Sequence, residues 1–244
     1  MLGQYSRTEL ILGKESTQKL KNSYVAVFGL GGVGGYVVEA LARSGVGKFD
    51  IIDNDKVNLT NLNRQILATH ETLGEYKTDV AEARILSINP DAVITKYNVF
   101  FTPDTSNMFD FSKYDYVIDA IDTVVGKLEL IIRTKEQNVP IICSMGAGNK
   151  LNPALFEVAD ISKTSVCPLS RVIRQKLKKL GIKNVKVVFS KEEPIKIDTS
   201  LLPAEKENES DKKIPPGSNA FVPSVAGLII AGEVVKDIVF NREI

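Results

Sequence analysis

The sequence predicts an α/β fold in which a mainly parallel sheet is covered by helices on both faces and closed by a C-terminal strand and helix extension. Three observations carry this expectation. Short apolar runs alternate with segments whose apolar residues recur at helical spacing. Most of those runs are apolar throughout, as strands buried on both faces must be. The first of them ends in a cluster of glycines, where a strand can turn sharply into a helix.

The elements follow in order. Residues 1–22 form a helical arm ahead of the first strand, which spans 24–29 (YVAVFG). Residues 33–44 carry apolar positions at helical spacing and stop at Gly45. A strand at 48–53, a helix at 76–88 ending before Pro90 and a strand at 92–97 repeat the pattern. It continues with a strand at 114–121 (YDYVIDAI), a helix at 124–137 and a strand at 139–144 (VPIICS). After Asn149 the rhythm changes to a strand at 154–159, a basic helix at 169–180 and a strand at 185–189. Charges, prolines and serines dominate 191–217, which reads as a mobile loop, and 221–240 closes the fold as a helix. The whole chain, 1–244, is expected to be a single domain.

Composition bounds the function. With 43% hydrophobic and 25% charged residues the chain lies in the globular range. Its 31 basic and 30 acidic side chains leave almost no net field, so a polyanionic partner would have to be held by a local patch. Cys143 and Cys167, 24 positions apart, supply neither a disulfide framework nor a four-cysteine zinc site, and a cytosolic, cytoplasmic compartment is expected. The first fifteen residues lack an apolar signal core. The apolar stretch 221–232 is 12 residues long before Glu233 interrupts it, too short to span a bilayer.

Gly29, Gly31, Gly32 and Gly34 (GLGGVG) fall between the first strand and the first helix, where backbone N–H groups can approach a phosphate at a helix N-terminus. Asp53 ends the next strand, 19 positions beyond Gly34, where a carboxylate accepts hydrogen bonds from ribose hydroxyls. Strand, glycine turn, helix and acid make this a Rossmann-like nucleotide site, although glycines alone do not choose between NAD and ATP. The run DNDKVNLTNLNRQIL, followed by Lys77, has no work in hydride transfer, whereas attack of a carboxylate on the α-phosphate of ATP joins two anions and needs fixed cations and a metal ion. Arg64 and Lys77 could supply the cations, and Asp122, just past YVIDAI at the carboxyl edge of the sheet, could hold Mg²⁺. Each has a plainer reading: Arg64 and Lys77 as solvated charges, Asp122 as a helix N-cap, Arg7 as an exposed residue of an amphipathic helix.

RTELIL at 7–12, the glycine turn, the acid of IIDND, the block NLTNLNRQ, Lys77 and the IDT around Asp122 occur in the order seen in the ubiquitin-activating-like superfamily of the ThiF and MoeB adenylyltransferases, which the chain therefore resembles. The resemblance implies ATP and Mg²⁺ as cofactors. Position by position it places Gly32 and neighbouring backbone at the phosphates, Asp53 at the ribose, Asn61, Arg64 and Lys77 at the triphosphate, and Asp122 at the metal. It also implies a homodimer in which Arg7 reaches the partner's ATP site, and raises a sulfur-relay protein as a further partner. Members that activate carrier proteins commonly have paired CxxC zinc motifs, and this chain has none. With VIDAID, GAGNKLNP, DISKTSVCPLSR and the closing IPPGSNAFVPSVAGLIIAGEVV it is similar, over nearly its full length, to the tRNA threonylcarbamoyladenosine dehydratases of that superfamily. That likeness implies ATP-dependent cyclisation of a modified adenosine in tRNA.

Independently of any likeness, residues 161–190 hold eight basic side chains and no acidic one: Lys163, Arg171, Arg174, Lys176, Lys178, Lys179, Lys183 and Lys186. Of these Arg171, Arg174, Lys178 and Lys179 lie on the predicted helix and could track RNA phosphates, or form the solvated face of an amphipathic helix. No histidine neighbours Cys167 to activate it, so it reads as a packing residue, and His70 lies in a loop with no assigned role. Three rival functions remain at this point: an adenylyltransferase for a small sulfur-carrier protein, an NAD-binding oxidoreductase, and a non-catalytic nucleotide-binding module.

Overall fold

The computed structural model describes residues 3–198, 200 and 216–240. Two short helices, α1 (Ser6–Leu12) and α2 (Lys14–Asn22), form the N-terminal arm, broken at Gly13, whose φ of 85° only glycine adopts without strain. The arm leads into β1 (Tyr24–Phe28), α3 (Gly34–Ser44), β2 (Lys48–Ile52), α4 (Lys77–Ile88) and β3 (Val93–Tyr97). Next come β4 (Tyr116–Asp119), α5 (Val124–Glu136), β5 (Ile141–Ser144), β6 (Phe156–Asp160), α6 (Pro168–Leu180), β7 (Lys186–Ser190) and α7 (Val222–Phe240). The expected α/β architecture is therefore present, with every predicted element within a few residues of its place.

The seven strands lie in the order β3-β2-β1-β4-β5-β7-β6. All neighbours pair parallel except β6, which runs antiparallel to β7 at the edge. Register fixes where a ligand can sit. Phe28 lies opposite both Ile52 and Asp119, Ile52 opposite Tyr97, and Asp119 opposite Cys143. The loops that follow β1, β2, β3, β4 and β5 therefore leave the sheet side by side at its carboxyl edge, around the point where strand order reverses between β1 and β4.

Helices α3, α4 and α7 share one apolar core with Val25, Val27, Phe49 and Ile51, while α5 and α6 share the other with Ala26, Phe28, Val117 and Ile141. The second core is closed by a cluster of aromatic rings in which Phe28 packs edge-on against Phe101 and Phe109. α7 lies close against α3: a Cβ on Gly227 would come 2.4 Å from the Val33 carbonyl oxygen. Asp237 ties the same helix to the sheet, accepting hydrogen bonds from Tyr116 Oη at 2.7 Å and Lys186 Nζ at 2.8 Å. Among the described residues no helix is long and apolar enough to cross a membrane.

Most of the loop expected at 191–217 lies outside the described residues, as do the first two residues of the arm. Its described beginning is tied down rather than free. Lys191 pairs with Glu157, and the Glu192 carboxylate accepts hydrogen bonds from the N–H groups of Leu151 and Asn152, both at 2.9 Å.

Candidate active site

A cavity of about 550 Å³ opens at the carboxyl edge of the sheet. That volume is in the range that holds a small-molecule cofactor, roughly 300–1,000 Å³. Its floor is the glycine turn, and Gly29, Gly31 and Gly32 line it directly. Gly29 has φ of 91°, and a Cβ there would sit 2.7 Å from the Ala120 carbonyl oxygen, so both its conformation and its closeness to β4 require glycine. Gly34 behaves differently from the sequence expectation. It is buried and outside the lining, and a Cβ on it would lie 1.7 Å from the Gly29 carbonyl oxygen, so it lets α3 start tight against β1 instead of facing a ligand. Val33, the N-cap of α3, lines the cavity, so the positive end of that helix borders the space above the turn.

Asp53 follows β2 and lines the same cavity. Its carboxylate accepts hydrogen bonds from Leu30 N at 2.7 Å and from Asp55 N at 2.8 Å, which locks the acid to the glycine turn. Burial raises its carboxyl above the ordinary aspartate value, against the pull of the nearby Lys77 charge and those two N–H groups.

Lys77 is the first residue of α4 and 4% exposed. A buried cation at the positive end of a helix is unfavourable unless anions surround it. Here Nζ donates to Asp55 Oδ2 at 2.7 Å and lies 3.9 Å from Asp53 Oδ1. Sequence reasoning did not single out Asp55, because nothing in a run of polar residues says which carboxylate turns back on the lysine.

Asn61 ends a 3-10 turn, Leu59–Asn61, held by reciprocal bonds between Asn58 and Asn61, and Arg64 lies in the turn that follows. Both line the cavity. Arg64 directs Nη1 to the Thr60 carbonyl oxygen at 2.8 Å and to Asn63 Oδ1 at 2.9 Å, leaving Nε and Nη2 without an acceptor among the described residues. Gln65, also missed, is a buried lining residue whose Oε1 has no hydrogen-bond partner, a polar group awaiting a ligand or water. Its signal was its place beside Arg64 in NLNRQ.

Asp122 and Thr123 close the far side. The N-cap of α5 is Thr123, so the capping role considered for Asp122 does not hold. Asp122 is exposed and makes no hydrogen bond or ion pair among the described residues. A free carboxylate beside a phosphate cradle suits Mg²⁺, which takes one or two carboxylates with substrate phosphates and waters; among the described residues no group of three metal-binding side chains is gathered. Directly behind this loop lies a fully buried pair, Lys127 with Asp119 at 2.9 Å, and Lys127 also donates to the Ser144 carbonyl oxygen at 2.7 Å. The lysine thereby joins the ends of β4 and β5 under the cavity.

The structure thus brings Gly29, Gly31, Gly32, Asp53, Asn61, Arg64, Lys77 and Asp122 around one space. Arg7 is not among them: it is exposed on α1 and outside the cavity of its own chain. The model of the ThiF family matches residues 5–243. The chain belongs to the ThiF family. Among ThiF-family relatives, the tRNA threonylcarbamoyladenosine dehydratase of Bacillus subtilis (strain 168) is 49% identical over 249 residues, covering 100% of this chain and 98% of the relative. The crystal structure of the E. coli tRNA N6-threonylcarbamoyladenosine dehydratase, TcdA, in complex with ATP superposes with a TM-score of 0.86 at 32% identity, covering 98% of this chain and 94% of the other. The complex of the same E. coli protein with AMP gives the same TM-score, identity and coverage.

The basic stretch divides on inspection. Lys186 is engaged by Glu233 and Asp237, whereas Arg174 directs only Nη1 to the carbonyl and hydroxyl oxygens of Thr164, leaving Nε and Nη2 without an acceptor among the described residues. Arg171, Lys178 and Lys179 remain exposed on α6, opposite the buried Ile173 and Leu177, and make no ion pair among the described residues. Cys167 is buried at the start of α6 near Gly146, as a packing residue would be, and His70 is exposed outside the cavity.

Proposed function

We propose that this ThiF-family chain is an ATP-dependent enzyme that dehydrates threonylcarbamoyladenosine in tRNA, the activity named for its B. subtilis relative. The observation that carries this reading is the convergence of a glycine turn, Arg64, Lys77 and Asp122 on one cavity with space for a nucleotide. ATP bound by an E. coli relative of the same fold supports the choice of nucleotide.

The chemistry follows from the charges. Lys77 and the free N–H groups of Arg64 draw negative charge off the phosphates, so the substrate carboxylate can approach the α-phosphorus. A carboxylate oxygen–phosphorus bond forms, the bond to pyrophosphate breaks, and an acyl adenylate remains. A nucleophile on the same substrate side chain, held at high effective concentration, then attacks the acyl carbon. The bond to AMP breaks, a proton is lost, and a ring is closed. The net change in the RNA is loss of one water. Mg²⁺, held by Asp122 and the phosphates, would neutralise charge on the leaving pyrophosphate.

Arg171, Lys178 and Lys179 on α6 offer the RNA backbone a phosphate track, and α6 starts beside the loop after β5 that lines the cavity. A homodimer is part of the proposal. No residue of α1 is buried, and its Leu10 and Ile11 are 87% and 84% exposed, which suits packing against a second copy that would carry Arg7 to the partner's cavity. Adenylation of a sulfur-carrier protein, the competing reading, is separated by one assay. AMP formation should require tRNA bearing the threonylcarbamoyl group, and a carrier protein with a free C-terminal glycine should not replace it. AMP formation with the carrier and none with the tRNA would reverse the assignment.

A further inference from the structure

One segment of the cavity wall comes from the far end of the chain. Residues 216–219 end two residues before α7, and Pro216 and Ser218 line the same cavity as the glycine turn. Asparagines fasten this strap on two sides. Toward the loop after β5, Asn149 donates from its N–H to the Gly217 carbonyl oxygen at 2.8 Å and accepts from Gly217 N through Oδ1 at 2.6 Å, while Asn219 Nδ2 donates to the Lys150 carbonyl oxygen at 2.8 Å. Toward the 3-10 turn after β2, Asn63 Nδ2 donates to the Ser218 carbonyl oxygen at 3.1 Å.

Asn63 is the informative member, because the other end of its amide accepts from Arg64 Nη1 at 2.9 Å. One planar group therefore holds the strap with its nitrogen and the arginine with its oxygen. Since amide nitrogen and oxygen lie at a fixed angle, a shift of the strap turns the oxygen and with it the guanidinium. The Arg64 stem runs beside the glycine turn: a Cβ on Gly32 would lie 3.5 Å from Arg64 Cγ, an ordinary van der Waals contact.

We infer that Asn63 is a positioning residue for adenylation, aiming the Arg64 guanidinium at the phosphates only when the strap 216–219 is seated over the cavity. The inference rests on the ATP-dependent reading given above. Asn63 touches neither nucleotide nor substrate in this account and acts through Arg64. It would make assembly of the phosphate site depend on a segment 155 residues away in sequence.

A double-mutant cycle tests it, with AMP formation from ATP and threonylcarbamoylated tRNA measured in the full chain under single-turnover conditions, so that slow variants stay readable. Asn63→Ala should lower the rate by about 10-fold to 100-fold, the scale of one hydrogen bond to a charged group. Arg64→Ala should lower it at least as far, and Asn63→Ala/Arg64→Ala should match Arg64→Ala within about twofold, because a residue acting only through Arg64 has nothing left to position. Asn63→Asp, which keeps an acceptor for Arg64 but cannot donate to Ser218, should also lower the rate and add nothing in the Arg64→Ala background; it carries the cycle should Asn63→Ala fail to fold. Independent losses that multiply in the double variant, or an Asn63→Ala rate equal to that of the unaltered chain, overturn the inference and leave the adenylation reading standing. An Arg64→Ala protein as active as the unaltered chain overturns both.

Discussion

Replacing Lys77 by Met keeps most of the stem and removes the charge that the site is built around. Nζ lies 2.7 Å from Asp55 and 3.9 Å from Asp53, so two carboxylates already share its field before any phosphate arrives. Unit charges about 4 Å apart at an effective dielectric of about 20 interact by about 4 kcal/mol. Sharing with Asp53 and Asp55 reduces what reaches the nucleotide, to about 2 kcal/mol if half of the field is taken up. The expected loss in kcat/KM for ATP is then roughly 30-fold, rising toward roughly 1,000-fold if the full ~4 kcal/mol reaches the nucleotide. ATP-dependent AMP release in the presence of modified tRNA gives the rate, titration calorimetry gives the ATP affinity, and a thermal melt confirms that the variant is folded. A folded Lys77→Met protein releasing AMP within about threefold of the unaltered rate would refute the reasoning, since no ion pair with a phosphate could then be worth the energy assigned to it.

Gly34→Ala should destabilise the fold by about 3 kcal/mol or more in urea unfolding, because its Cβ would lie 1.7 Å from the Gly29 carbonyl oxygen and backbone must move; Gly74→Ala, at φ of 86° with nothing within 4 Å, should cost only about 1 kcal/mol. Burial holds the Asp53 carboxyl above its unfolded value, so its contribution to stability is complete below the unfolded pKa and is lost as pH rises through the folded one. The unfolding free energy of Asp53→Asn relative to the unaltered chain should therefore rise as pH increases above the unfolded aspartate value of about 4, and the variant should bind ATP more weakly; a pH-independent difference would contradict the assigned burial. Replacing Arg171, Lys178 and Lys179 by Glu should raise KM for tRNA and flatten its salt dependence by about 2 in log–log slope, with ATP affinity unchanged. An unchanged slope would remove α6 from the RNA path.

The sheet, its helices and the glycine turn were legible because each is written locally. Glycines at 29, 31, 32 and 34 have few other uses between an apolar strand and an amphipathic helix, and Asp53 falls where β2 must end. Register then did what spacing could only suggest, placing Arg64 from the connection after β2, Lys77 from the start of α4 and Asp122 from the loop after β4 around one cavity. What stayed hidden depends on which way polar side chains turn. Asp55 and Asp53 are both acids near the end of β2, yet only contact with Lys77 at 2.7 Å distinguishes the former. Asn63 gains meaning only because Ser218 arrives beside it from the far end of the chain. The same limit explains the basic stretch: Lys186 looks like Lys178 in sequence, but α7 brings Glu233 and Asp237 against it. Gly34 sits in the same motif as Gly32 but serves packing and does not line the cavity, a difference carried by a single close approach to the Gly29 carbonyl.

The most direct measurement of the account is made on the RNA. The purified chain is incubated with ATP, Mg²⁺ and tRNA bearing threonylcarbamoyladenosine, the RNA is digested, and the nucleosides are weighed. The account predicts that the modified adenosine becomes lighter by one water, with one AMP formed per ring closed, and that neither happens without ATP. Conversion that proceeds without ATP, or AMP formed while the nucleoside keeps its mass, would contradict it.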